Sequence, residues 1–185
     1  QDMLAMSKRL EPSRNRQIWN GLVKRQIDLQ CDRIPFRFHN VSRRKVLNWL
    51  GVETACRLRP VRTWGLPTHL QLEPTNRCNL RCALCPVTEG LERSPASMKP
   101  EMFRSLLDDL ADSLLLVLLW DWGEPFLCPD VYELISMAAD RGVALVSSTN
   151  GHVFAEQQHA EKVVSSGLHS LIFAIDGLDQ ETYQT

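Results

Sequence analysis

The chain contains no hydrophobic run long enough to cross a bilayer and no amino-terminal apolar stretch of the signal-peptide kind, so neither a membrane span nor secretion is expected. It carries little net charge, -1 over 185 residues, and its 44% hydrophobic content is that of an ordinary globular chain. Aromatic and basic residues are not interleaved and no nucleic-acid-binding motif is present, so a nucleic-acid partner is not expected either. A second pair of cysteines is also missing, although a structural zinc site usually takes four Cys or His ligands in two closely spaced pairs. The first residue is Gln1 rather than methionine, and the last, Thr185, falls where a helix would be starting. The expectation is a segment of a longer, cytoplasmic protein.

What is present is one tight group of sulfur donors. Cys78, Cys82 and Cys85 stand within eight residues of one another in the stretch from Leu72 to Pro86. Three thiolates on a short loop can bind three corners of a four-iron cluster and leave the fourth iron without a protein ligand, an open position where chemistry can occur. Two other metal sites compete at this level. Zinc would want a fourth ligand, whereas a two-cluster ferredoxin run has shorter gaps between its cysteines and a further ligand that is missing here. His69 lies nearby but precedes an apolar run that reads as a strand, and Cys31, Cys56 and Cys128 are isolated. Three disulfides are disfavoured by the clustering, since grouped cysteines in a reducing cytosol are more often metal ligands than crosslinks. The isolated three read as small buried or half-buried residues.

Periodicity places this loop in a repeating pattern. Thr68 to Pro74 is apolar with a proline stop, and the cysteine loop follows it. Pro100 suits the first turn of a helix in which Met102, Phe103, Leu106, Leu107 and Leu110 mark one buried face. The run from Leu114 to Trp120 is far too short for a bilayer and reads as a strand covered on both faces. An amphipathic stretch from Val131 to Arg141 stops at Gly142, a third strand covers 143 to 146, a helix covers 156 to 166 before Gly167, and a fourth strand runs from Leu171 to Ile175. Strand and helix alternating in this way predict a parallel sheet. Ligand sites in such sheets gather at the carboxyl ends of the strands, so the cysteine loop and the turns after the later strands are expected to meet.

Taken with that placement, the CxxxCxxC loop resembles the signature of the radical S-adenosylmethionine (SAM) superfamily. Three later segments follow the order of that superfamily's other motifs. Trp122-Gly123-Glu124-Pro125 resembles its GGEP motif, Ser148-Thr149-Asn150-Gly151 the segment after its third strand, and Ile175-Asp176-Gly177 the SxDG segment that closes its fourth. Each alone is a common turn, but four in order at strand ends are not. The resemblance implies an α/β fold, a partial (β/α)6 TIM-like barrel. Residues 67–185 would supply about four of its strands, and a basic, helical extension at residues 1–66 would precede them. It further implies reductive cleavage of SAM at a 4Fe-4S cluster held by Cys78, Cys82 and Cys85. The 5'-deoxyadenosyl radical so released would abstract hydrogen from substrate. An electron donor of the flavodoxin or ferredoxin type goes with that chemistry. The look of the cysteine loop and the Trp-Gly-Glu-Pro variant is similar to the SPASM and twitch branch, whose members modify peptides, proteins or small molecules and often carry further clusters downstream.

The resemblance also distributes roles. Glu124 would accept hydrogen bonds from the methionyl ammonium of SAM, and Gly123 would let backbone approach the ligand where a side chain would collide. Trp122 replaces the first glycine of the motif and crowds the ligand side. Leu84 stands where the superfamily usually has an aromatic residue against the adenine, leaving only an apolar contact. Ala174 takes the place of a serine, so a side-chain bond to SAM is lost there. Ser148, Asn150 and Asp176 are polar candidates for the ribose or the methionine end. The competing reading is a non-catalytic iron-sulfur or zinc-binding barrel with a structural or electron-transfer role, and Leu84 and Ala174 speak for it.

Charge sets the first third apart. Residues 1–66 hold 14 Lys and Arg against 5 Asp and Glu, while the rest hold 7 against 17. Ile18, Leu22 and Val23, then Val46, Leu47 and Leu50, predict two short amphipathic helices separated at Pro35. A basic arm can bind nucleic acid, an acidic carrier or a membrane surface, but without an accompanying motif the simpler expectation is a packed module with solvated charges.

Overall fold

The computed structural model describes residues 14–31, 34–90, 92–175, 177 and 179. They form two compact units, divided after Thr68. No helix among the described residues is long and apolar enough to cross a membrane.

The amino-terminal unit has helices where two were expected, but Leu22, Val23 and Leu47, expected on their apolar faces, are exposed, and the second helix is 16 residues long. Helix α1 (Arg14–Trp19) runs into a wider π turn (Asn20–Lys24), and α2 spans Arg43–Leu58. Between them lies an element that the periodicity argument lacked, an antiparallel pair of strands, β1 (Ile27–Cys31) and β2 (Ile34–Phe38). The pattern is there in retrospect: Ile27, Leu29 and Cys31 alternate with polar residues, as do Ile34, Phe36 and Phe38 with Pro35 and Arg37. Pro35 is no obstacle, because both strands of a two-stranded sheet are edges and a proline's missing N–H can face outward. Asp28 and Arg37 pair across the strands at 3.1 Å, and Ile27 and Phe36 are buried. The ring of Trp49 on α2 comes so close to Gly21 that an added Cβ would sit 3.1 Å from it. Ser42 caps α2, its hydroxyl accepting the Lys45 amide at 3.2 Å. Ser42→Ala is expected to cost this unit about 1 kcal/mol, read as a lowered denaturation midpoint.

The second unit is a four-stranded parallel sheet in the order β3 (His69–Gln71), β4 (Leu116–Leu119), β5 (Ala144–Thr149), β6 (Ser170–Phe173). Each crossover carries a helix: α4 (Pro100–Leu110), α5 (Val131–Asp140) and α6 (Gln157–Ser165), with a one-turn helix α3 (Pro86–Glu89) on the cysteine loop. Gly142 and Gly167 end α5 and α6 with φ of 62° and 85°, in the left-handed region that favours glycine. The core joins Phe103 and Leu107 of α4, Val117 and Leu119 of β4, Leu134, Ile135 and Ala138 of α5, and Leu145 of β5. Each fully buried leucine among them contributes about 2 kcal/mol. Met102 is the exception to the predicted helix face, lying 61% exposed. The face that packs is centred on Phe103 and Leu107, one residue round from it.

Parallel order puts the carboxyl ends of all four strands on one side. The segments that follow Gln71, Leu119, Thr149 and Phe173 are the four that the sequence singles out.

Candidate functional site

The cysteine loop is tied at its neck. Glu73 receives both ends of the Arg93 guanidinium, at 2.7 and 3.4 Å. Pro74 accepts the Met98 amide at 2.7 Å, and Thr75 faces Ser97 in an antiparallel bridge. The side chain of Asn76 accepts the Ala96 amide at 2.8 Å and donates to the Ser94 carbonyl at 2.9 Å. The two ends of the loop are thus fastened to each other just beyond β3. Inside it, the Cys85 amide donates to the Cys82 carbonyl at 3.1 Å, and Cys85 opens α3 with Pro86 in the first helical position. The Leu80 amide points at Cys78 Sγ at 3.4 Å.

The turn after β4 is clamped onto the root of this loop. The Glu124 amide donates to the Arg77 carbonyl at 2.8 Å, one residue before Cys78. Gly123 lies so close to Thr75 that a Cβ there would overlap the Thr75 carbonyl oxygen and lie 2.8 Å from its carbon and 3.0 Å from the Arg77 oxygen. The glycine is therefore required by chain packing on chain, a constraint different from the ligand approach that the motif suggested.

Glu124 is buried at 3% exposure, and its carboxylate is held from two strand ends. Oε1 accepts the Phe126 amide at 3.2 Å and the Thr149 hydroxyl at 2.9 Å, while Oε2 accepts the Asn150 amide at 2.8 Å. A carboxylate has about four acceptor positions, so three donors leave one open on Oε2. The Asn150 side chain does not reach towards Glu124. Its Nδ2 donates to Asn79 Oδ1 in the cysteine loop at 2.8 Å, and its Oδ1 accepts the His152 amide at 3.1 Å.

These pieces border one cavity of roughly 730 Å³. Its wall includes Cys78, Cys82, Leu84 and Cys85 from the loop, Trp120 through Pro125, and Ser148, Thr149, Asn150 and Ala174 from the later strand ends. Eight of the nine site residues read from the sequence meet there: Cys78, Cys82, Cys85, Leu84, Gly123, Glu124, Ser148 and Asn150. The ninth, Asp176, lies outside the described residues. Leu84 is 95% exposed on the cavity's edge. Sequence reasoning did not single out Thr149, Asn79 or Thr75, which fasten the pieces together, although all three lie within the segments that carry the motifs. Cys128 is elsewhere, buried against Met98, and burial pushes its thiol up, which keeps it neutral.

The donor set fits an iron-sulfur cluster. A 4Fe-4S cluster takes one cysteine per iron, and Cys78, Cys82 and Cys85 all border this one cavity.

Fold and site together define a partial parallel barrel with a three-cysteine loop at the carboxyl ends of its strands. The profile of the Radical SAM superfamily matches residues 72–185, and the chain belongs to that superfamily. Its cofactors are a 4Fe-4S cluster and SAM. The chain is similar to the AdoMet-dependent heme synthase of Nitratidesulfovibrio vulgaris, 32% identical over 121 residues, which cover 64% of this chain and 33% of that protein. It is 27% identical over 118 residues to the PqqA peptide cyclase of Bradyrhizobium diazoefficiens, covering 64% and 31%. The chain thus spans about a third of the length of these curated relatives. In fold it is similar to BtrN in complex with AdoMet and 2-DOIA, with a TM-score of 0.52 and 18% identity over 64% of this chain and 50% of that one. Streptococcus suis SuiB bound to S-adenosylmethionine gives a TM-score of 0.55 and 17% identity over 74% and 31%.

Proposed function

We propose that the protein containing this chain is an enzyme that reductively cleaves SAM and uses the resulting radical to modify a substrate. The observation that carries this reading is the single cavity in which three cysteine thiols and a buried, oriented carboxylate with an open acceptor position meet. Cys78, Cys82 and Cys85 would hold the cluster. A cluster held there would supply the one-electron chemistry that cleaves the sulfonium carbon-sulfur bond of SAM for hydrogen abstraction from substrate.

The chain's own residues contribute position and exclusion of water. Glu124 Oε2 accepts the ammonium of SAM in a charge-assisted bond, made strong by burial of the carboxylate. Leu84 and Trp122, 95% and 47% exposed, offer apolar surface that a bound nucleoside would cover. Ser148 and Asp176 remain candidates for the ribose or the methionine end. A SPASM or twitch type of protein, with a peptide, protein or small molecule as substrate, an electron donor of the flavodoxin or ferredoxin type and a cytoplasmic location, completes the proposal. The relatives named above, one a heme synthase and one a peptide cyclase, leave the choice of substrate class to experiment.

Glu124→Ala provides the test. In anaerobically reconstituted full-length protein it is expected to leave iron content unchanged and weaken SAM binding by at least tenfold, the low end for a lost bond to a charged group. Equal SAM affinity in a titration would remove Glu124 from the site. Absence of 5'-deoxyadenosine from wild-type protein given SAM and a strong reductant would remove the enzyme.

A further inference from the structure

The carboxylate of Glu124 has an arrangement more specific than burial alone requires. Both Glu124 and Thr149 are almost fully buried, at 3% and 2% exposure. The Thr149 oxygen accepts the Gly151 amide at 3.1 Å and stands 2.9 Å from Glu124 Oε1. A carboxylate can only accept, so the hydroxyl's one hydrogen goes to Oε1. With the Phe126 amide at 3.2 Å, that fills Oε1. Oε2 has only the Asn150 amide, at 2.8 Å.

We infer that Thr149 is a positioning residue for SAM: its hydroxyl saturates Oε1 and so leaves Oε2 as the one oxygen of Glu124 on which an ammonium can dock. The inference rests on the proposed function and adds to it a residue and an atom. Phe126 follows β4 and Thr149 ends β5, so the plane of the carboxylate is fixed from two independent strands. Without the hydroxyl, Oε1 regains an open acceptor position. The carboxylate then presents two competing oxygens and has lost a restraint on its rotation. A bound ammonium would be held less tightly and in more than one place.

The experiment compares Thr149→Val, which keeps the shape and removes the hydroxyl, with Thr149→Ser, which keeps the hydroxyl. Both are made in the full-length protein, reconstituted without air, beside Glu124→Gln. Iron content is measured, and SAM affinity is read from the change that SAM causes in the spectrum of the reduced cluster. Thr149→Val is expected to retain its iron and bind SAM about tenfold more weakly, as for loss of one bond to a charged group, with Thr149→Ser close to wild type. Wild-type affinity in the valine variant overturns the inference, as does weak binding in the serine variant. Loss of iron from the valine variant also overturns it, since a hydroxyl that only orients Glu124 is not needed to hold a cluster. The glutamine variant separates the two levels. If it binds SAM weakly while Thr149→Val does not, only Thr149 falls; if it binds normally, the assignment of Glu124 falls as well.

Discussion

With Cys82 replaced by alanine, the full-length protein is expected to lose its cluster and every trace of SAM cleavage. Iron and sulfide should fall by about four of each per chain after anaerobic reconstitution, and 5'-deoxyadenosine should fall to the level of a control without protein. The structure separates this loss from a loss of folding. Cys82 is exposed, and the contact it makes within the loop uses its carbonyl, which accepts the Cys85 amide at 3.1 Å and is unchanged in alanine. Nothing in the core touches it, so the stability of the variant without metal should match that of the wild type without metal to within about 0.5 kcal/mol. With only Cys78 and Cys85 left, two corners of a cluster would be held instead of three. A variant whose iron content equals that of the wild type would place the cluster elsewhere, and one that binds iron but melts far lower would make the effect structural.

Gly123→Ala should produce the largest change in stability. The backbone angle is not the cause, since Gly123 is outside the left-handed region and alanine can adopt its conformation. The added carbon has nowhere to go. It meets the Thr75 carbonyl and the Arg77 oxygen, and both are backbone atoms fixed by other bonds. Thr75 donates its hydroxyl to the Ala96 carbonyl at 2.8 Å and accepts from Ser97 at 2.9 Å, while the Arg77 carbonyl takes the Glu124 amide at 2.8 Å. Relief therefore means giving up one or two hydrogen bonds, at about 1 kcal/mol each, on top of about 1–3 kcal/mol for overpacking. A loss of about 2–5 kcal/mol corresponds to a melting temperature about 4–20 °C lower. Thermal unfolding followed by circular dichroism measures it directly. A melting temperature within a degree or two of wild type would mean that the turn can shift away from the cysteine loop at no cost. In that case Glu124 is not held where the hydrogen bonds place it.

Much of the barrel could be read from the chain, and the reason is local. The helices from Pro100, Val131 and Gln157 and the strands between them declare themselves through apolar spacing, proline at a first turn and glycine at a helix end, all within a dozen residues. Met102 departs from the pattern because spacing identifies a stripe but not its centre, which is set by what the helix packs on. The paired strands Ile27–Cys31 and Ile34–Phe38 escape a reading by periodicity because Pro35 reads as a break when the strand it belongs to is not yet known to be an edge.

The three cysteines, the Gly-Glu-Pro turn and the Ser-Thr-Asn-Gly turn are properties of the chain alone, because a ligand's element type and its spacing are written in consecutive residues. Which of these groups orients which is a matter of contacts between residues far apart. Thr149 and Glu124 are 25 positions apart and Asn150 and Asn79 are 71, and no local periodicity encodes either bond. Only the parallel sheet, by bringing its strands' carboxyl ends to one side, makes Thr149 a partner of Glu124 and turns Gly123 from a flexible residue into the only one that fits beneath Thr75.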